Sequence, residues 1–236
     1  MFERYTAASP AVRAPVRAAM LALALFTTAS APALAGDYDW SGFYVGGVAS
    51  YNTGGDRLTE FTTATGAPRN MFFDYDLSGI AGGAKAGANL QFDSFVIGAE
   101  ADFELSRVDG TFIDRIQNLG RGDDTFSWQA SLRGRAGFAM ERMMIYGTGG
   151  VAAARSENKY TLVPFGISEP IEGTHYGWTA GAGVDYAVTG NLIAGIEYRF
   201  TQLNDYTNVS KVAFPGISGT QEPHLNSLRV SLSYKF

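Results

Sequence analysis

The chain has 236 residues, 46% hydrophobic and 17% charged, and carries a net charge of −5 at neutral pH. That acidic balance argues against a nucleic-acid partner, because proteins that bind nucleic acid present basic faces. The absence of cysteine excludes a disulfide framework and any thiolate metal site.

Read from the start, Arg13 and Arg17 precede a short apolar stretch from Ala18 to Phe26, and Ala33-Leu34-Ala35 has the small-x-small form of a signal-peptidase site. A spanning helix needs about 20 consecutive apolar residues, so residues 1–35 are expected to be a removed secretory signal. Residues 36–236 are expected to be one β domain, with a net charge of −7 once Glu3, Arg4, Arg13 and Arg17 are gone. The 29 glycines fall within segments rich in Phe, Tyr and Val, as in strands and unlike a flexible linker.

The first strand runs from Trp40 to Tyr51, with Phe43, Val45, Ala49 and Tyr51 on one face and Tyr44, Gly46 and Ser50 on the other. Three hairpins follow, and each can be tested by whether its partners place apolar residues on the same face. Asp93-Ser94 as a two-residue turn sets Phe92 against Phe95, Leu90 against Ile97 and Ala88 against Ala99, with Lys85 opposite Asp102 on the other face. A turn at Glu141-Arg142 sets Met140 against Met143 and Phe138 against Ile145. In its first strand, starting at Phe126, Trp128, Ala130 and Leu132 alternate with Ser127, Gln129, Ser131, Arg133 and Arg135. A three-residue loop, Thr189-Gly190-Asn191, pairs Tyr186 with Ala194 and Val184 with Ile196, and gathers Asp185, Glu197 and Arg199 on one face. The last strand is the most regular: Leu228, Val230, Leu232, Tyr234 and Phe236 alternate with Arg229, Ser231, Ser233 and Lys235.

These strands number eight. Their short turns lie on one side, and four long connections, near 52–76, 107–125, 155–176 and 201–225, lie on the other, which is the asymmetry of an outer-membrane barrel. Strands of about ten residues at about 3.3 Å each, tilted about 45°, cover the roughly 25 Å apolar band of such barrels. A soluble sandwich or lipocalin-like barrel would satisfy the same periodicity with the faces reversed. The export signal and the aromatic strand ends at Trp40, Tyr51, Phe92, Phe95, Trp178 and Phe200 favour apolar faces turned to lipid. The predicted fold is therefore all-β, an eight-stranded antiparallel up-and-down transmembrane barrel with short periplasmic turns and four long external loops.

Several motifs carry a resemblance: Trp40-Ser-Gly-Phe-Tyr-Val-Gly-Gly, Phe95-Val-Ile-Gly-Ala-Glu-Ala-Asp-Phe, Arg133-Gly-Arg-Ala-Gly, Tyr146-Gly-Thr-Gly-Gly, Gly177-Trp-Thr-Ala-Gly-Ala-Gly-Val-Asp-Tyr and the terminal Tyr234-Lys-Phe. Together, from Tyr38 to Phe236, they resemble the small eight-stranded outer-membrane proteins of the porin family or OmpA-like barrel type, including surface antigens. The resemblance implies that the final strand, Leu228, Val230, Leu232, Tyr234 and Phe236, is the signal read by the barrel-assembly machinery. It also implies outer-membrane lipid as the surrounding partner.

An eight-stranded barrel has an interior just wide enough for side chains to fill. The inward set here comprises Lys85, Arg133, Arg135, Arg199 and Arg229 against Glu100, Asp102, Glu104, Asp185 and Glu197. A salt-bridged, mostly closed lumen is expected, with a narrow pore for ions or small solutes as the alternative. Catalysis would need a nucleophile and a base, and the two histidines, His175 beside Tyr176 and His224, fall in or next to long loops. No enzyme activity and no cofactor are expected, although a loop histidine with a nearby tyrosine could ligate haem iron. Gly147-Thr-Gly-Gly150 lacks the helix and the lysine of a phosphate loop. Arg121-Gly122-Asp123, on a predicted external loop, is a tripeptide that can meet host adhesion receptors but also arises by chance.

Overall fold

The structure, a computed structural model, describes residues 38–113 and 120–236. The expected signal segment and its cleavage near Ala35 lie outside the described residues. Among the described residues are ten strands: β1 (Gly42–Thr62), β2 (Pro68–Phe92), β3 (Phe95–Ile113), β4 (Gly120–Met140), β5 (Met143–Leu162), β6 (Ile167–Ala187), β7 (Leu192–Leu203), β8 (Tyr206–Val209), β9 (Ile217–Gln221) and β10 (His224–Lys235). They form one sheet in the order β10-β7-β6-β5-β4-β3-β2-β1-β9-β8, and β10 pairs again with β1. That last pairing closes eight strands into an antiparallel barrel and removes the open edges from its membrane-spanning part.

The hairpin registers agree with the sequence. Phe92 faces Phe95 and Lys85 faces Asp102; Phe138 faces Ile145; Tyr186 faces Ala194 and Val184 faces Ile196. Asp93, in the first turn, has φ of 53°, the left-handed conformation that tight hairpin turns require. The apolar faces point outward: Phe43, Ile80, Leu90, Phe103, Leu132, Val151, Val230 and Leu232 are all exposed, while Tyr44, Ser50 and the charged positions are buried. An isolated soluble protein rarely exposes so continuous an apolar band; in a bilayer it is the lipid-facing surface.

Three expectations are corrected. First, most of the four external connections are strand. β2 is 25 residues long and β1, β4 and β6 are 21 each, about twice what a bilayer crossing takes. The strands continue outward as a wall, with β5 and β6 joined by a short 3-10 turn at Val163–Phe165. Second, Trp40 is not a lipid-facing girdle residue. It is fully buried at the turn-side mouth of the barrel with Val96, Met144 and Ile193; Gly42 has φ of 125°, which lets the chain swing from that plug into β1. Third, the alternation of β4 breaks at Ser127, where the register shifts on both sides between Phe126 and Trp128. The bulge turns Phe126 inward and leaves Ser127 exposed, the reverse of the expected phase at Ser127.

On the side where β7 and β10 stop early, a small hairpin completes the wall. β9 pairs with β1 from Leu58↔Gln221 to Thr62↔Ile217, directly above the β1–β10 ladder that ends at Gly55↔His224. Pro223, which has no N–H, interrupts that column, and the backbone N–H of Glu222 donates to Asp56 Oδ1 at 2.8 Å. β8 pairs with β9 alone, so a seam remains between β8 and the outer half of β6.

Candidate functional site

All ten predicted lumen charges are buried, each at 7% exposure or less. Arg133 sits at the centre: Nη2 donates to Glu100 Oε1 at 2.5 Å and Asp102 Oδ2 at 3.1 Å, and Nη1 to Glu197 Oε1 at 2.7 Å. Arg199 reaches Asp102 and Glu104, at 3.0 and 3.2 Å. Arg229 binds Glu104 and Glu197, both at 2.8 Å. Arg135 pairs with Asp185 at 2.7 Å, and Lys85 with Glu100 at 3.2 Å. Five cations thus meet five carboxylates, and each carboxylate has a cationic partner, the condition under which burying so many charges is tolerable.

Two inward-facing tyrosines, outside the predicted set of ten charges, also belong to this layer. The Tyr44 hydroxyl donates to Glu100 Oε2 at 2.8 Å and accepts from Arg135 Nη1 at 2.9 Å, and the Arg135 guanidinium lies 4.0 Å from the Tyr146 ring centroid. Their bulk fits because glycines face them: a Cβ at Gly87 would collide with the Tyr44 ring, and one at Gly183 with Tyr146. The signal was present in the sequence as Gly opposite Tyr on neighbouring strands, but it becomes readable only once β1–β2 and β5–β6 registers are known.

Outward of the charged layer the inward face turns apolar. Leu58, Tyr75, Leu77, Val108, Phe126, Leu203 and Leu225 form a second core, with Phe73, Phe112 and Phe214 packed against it. Inside it the Tyr75 hydroxyl lies 2.7 Å from Asp56 Oδ2 and 3.1 Å from Asp124 Oδ2. One phenolic hydrogen cannot serve both carboxylates, so a retained carboxyl proton completes the set. Burial pushes Asp124 up to about 8, with Asp56 adding to the shift, and burial pushes Asp56 up to about 6. Asn158 Nδ2 donates to Asp124 Oδ1 at 3.0 Å, and Gln221 Nε2 to the Tyr75 hydroxyl at 3.0 Å.

The candidate loop residues stand on strands. His175, on β6, turns inward, stacks on Tyr206 with centroids 3.5 Å apart, and places Nε2 3.0 Å from Ser156 Oγ. Burial lowers its pKa. Ser156 is 1% exposed, whereas His175 is half-buried. Tyr176 points to the opposite face and is 66% exposed, so it cannot share one ligand with His175, which corrects the picture of a paired loop site for haem iron. His224 opens β10 near Phe200. Arg121, Gly122 and Asp123 are not a loop either: they lie within β4, Gly122 is buried, and Arg121 Nη2 donates to Asp123 Oδ1 at 2.6 Å. The tripeptide's two charged ends are tied to each other. Among the described residues no group of three or more potential ligand side chains could hold a metal ion.

The terminal strand closes the ring. Leu228, Val230, Leu232 and Tyr234 pair with β7 on one side and β1 on the other, and Phe236, at 72% exposure, stands beside Tyr234 in an edge-on ring contact.

Residues 21–236 match the family described as outer membrane protein beta-barrel domain. The chain is 32% identical over 227 residues to the 31 kDa outer-membrane immunogenic protein of Brucella melitensis, covering 92% of this chain and 93% of that protein. It is 32% identical over 169 residues to the 22 kDa outer membrane protein of Rhizobium leguminosarum bv. viciae, covering 71% and 67%. Among solved structures, the outer membrane protein OprG of Pseudomonas aeruginosa is similar in fold, with a TM-score of 0.55 at 12% identity over 85% of this chain and 98% of that one. Lipid-facing strands, a closed ring and a match across nearly the whole sequence agree: the chain belongs to the outer-membrane β-barrel family and is an outer-membrane protein.

Proposed function

We propose that this barrel is a closed envelope protein, with no chemistry of its own, that stiffens the outer membrane and holds an extended β wall at the cell surface. The observation that carries the reading is the path of the lumen salt bridges. β3 and β7 are four strands apart in a ring of eight, yet Arg199 and Asp102 join them directly. Arg133 on β4 likewise reaches Glu197 on β7. Bridges that cross the full width support a filled lumen, as expected of an eight-stranded barrel, and an apolar layer lies on either side of them.

A narrow pore is the second reading. The Nε groups of Arg133, Arg135, Arg199 and Arg229 make no hydrogen bond among the described residues, so the charged layer keeps donors that a hydrated anion could use. Single-channel recording of the folded protein in a planar bilayer separates the two, with an Arg133→Ala, Arg135→Ala variant beside it. A silent wild type is expected. Discrete steps whose ion selectivity changes in the variant would overturn the closed reading and establish a pore.

Surface presentation is supported by the relatives, which are named immunogenic outer-membrane proteins, and by outer strands that extend well past the apolar belt. Host or haem contacts would have to use that wall, with His175 and Tyr176 acting separately. The terminal strand, with its exposed Phe236, is proposed as the segment read during barrel assembly.

A further inference from the structure

At the external end of the barrel the second apolar core opens into a small cavity walled by Leu58, Phe73, Phe112, Tyr160, Phe214 and Ile217. Its lining, mostly apolar with a few placed polar groups, is that of a small-molecule site. We propose that it binds a small neutral aromatic compound of one ring bearing a hydrogen-bond donor such as a hydroxyl, a role that goes beyond the closed-barrel reading above.

The rings define the ligand's body. Phe73 and Phe112 stack at 5.2 Å, and Phe112 meets Tyr160 edge-on at 6.3 Å. Flat aromatic ligands fit such walls by offset and edge-to-face contacts. The charges define its neutrality. Arg121 lines the mouth, but its guanidinium is held by both oxygens of Asp123, at 2.6 to 3.0 Å. Glu60, also in the lining, pairs with Arg69 at 3.3 Å. An ionic ligand would be desolvated there without an uncommitted counter-charge.

The polar handle comes from Asn208. Its Nδ2 donates to Gln221 Oε1 at 3.1 Å and lies 3.3 Å from the Tyr160 hydroxyl, which fixes the amide's orientation. Its carbonyl oxygen accepts no hydrogen bond among the described residues, and Asn208 is part of the cavity lining. That oxygen calls for a donor on the ligand.

Binding can be read by ¹⁹F NMR with the protein folded in lipid nanodiscs. 4-Fluorophenol is the probe, with fluorobenzene, 4-fluorobenzoate and 4-fluorobenzylammonium as comparisons. Ile217→Trp fills the cavity, Phe112→Ala strips its wall, and Asn208→Ala removes the acceptor; folding of each is checked by heat-dependent gel mobility. Saturable 4-fluorophenol binding is expected, weakened at least tenfold by Ile217→Trp or, should that variant not fold, by Phe112→Ala. Asn208→Ala is expected to weaken 4-fluorophenol about threefold or more while leaving fluorobenzene unchanged. Equal, non-saturating partition into wild-type and variant nanodiscs would overturn the proposal, as would tighter binding of the anion or the cation than of the phenol.

Discussion

Arg199 Nη1 and Asp102 Oδ1 lie 3.0 Å apart, joining opposite walls of the lumen, and the same carboxylate also receives Arg133, Arg229 and the Ser131 hydroxyl. Removing Asp102 leaves three guanidinium groups facing one another in the charged layer. Asp102→Ala is therefore expected to destabilise the folded barrel by about 3–5 kcal/mol. The double variant Asp102→Ala, Arg199→Ala should cost less than the two single losses added together. Urea unfolding in liposomes measures both, and strict additivity would show that the two groups act independently.

The acid pair above the membrane predicts a pH dependence. Both folded-state values, about 8 for Asp124 and about 6 for Asp56, lie above the unfolded carboxylate value. The folded state therefore holds these protons more tightly, and the contribution is complete below about pH 4. It is lost as pH rises through about 6 and then about 8. Hydrogen exchange of the outer parts of β1, β2 and β4 should accelerate from pH 5 to pH 9 beyond the intrinsic chemical rate. Asp124→Asn, which needs no proton, is expected to flatten that dependence and to stabilise the outer wall by roughly 1–3 kcal/mol at pH 9. An unchanged profile in the variant would count against a shared proton.

Glu169 closes the seam between β6 and the β8–β9 hairpin. Its Oε2 accepts from Ser210 Oγ at 2.7 Å and from the backbone N–H groups of Val212 and Ala213, both at 3.1 Å, while Oε1 accepts from Lys211 N at 3.0 Å. Slight burial raises its pKa, but these donors outweigh it and hold the carboxyl near 2. The depressed value means stability present above about pH 4.5 and lost as pH falls towards 2. Glu169→Gln is expected to increase protease cleavage within residues 204–216 at neutral pH, by about threefold to tenfold, without altering the membrane-embedded barrel. Mass spectrometry of limited digests locates the cuts; wild-type protection in the variant would show that the seam holds without this carboxylate.

Leu132 is 59% exposed on the lipid face of β4, and the neighbouring position on that strand, Arg133, is the centre of the lumen network. Leu132→Arg is expected to cost about 2–4 kcal/mol, the penalty of a cation near the bilayer midplane. Leu132→Phe should be nearly neutral. Equilibrium refolding into lipid vesicles gives both values, and an equal tolerance of Arg and Phe would place Leu132 away from the hydrocarbon.

The spanning barrel was legible because its information is local. A two-residue turn at Asp93-Ser94 fixes the β2–β3 register by itself, and Leu90, Ile97, Lys85 and Asp102 then fall on consistent faces. The outer wall was not legible for two reasons. Its inward positions, such as Leu58, Leu77 and Phe126, are as apolar as the lipid face below, so polarity no longer distinguishes in from out. The bulge at Ser127 then inverts the phase of β4, and β8 is only 4 residues long. Trp40 was misplaced because it precedes the alternating strand, where period two says nothing about direction. The ten lumen charges were found by pattern alone, while their partners required the closed ring that brings β3 opposite β7.

Strands that continue past the bilayer as a paired sheet give the cell surface a ribbed relief instead of a set of pliable threads. Along such a rib only alternate side chains meet the outside, as at Glu157, Lys159 and Thr161 against their buried neighbours Ser156, Asn158 and Tyr160 on β5. Substitutions at every second position can therefore change the outward surface while the hidden register stays intact. Any partner that lay against this wall would meet residues brought side by side from neighbouring strands more than a continuous stretch of chain.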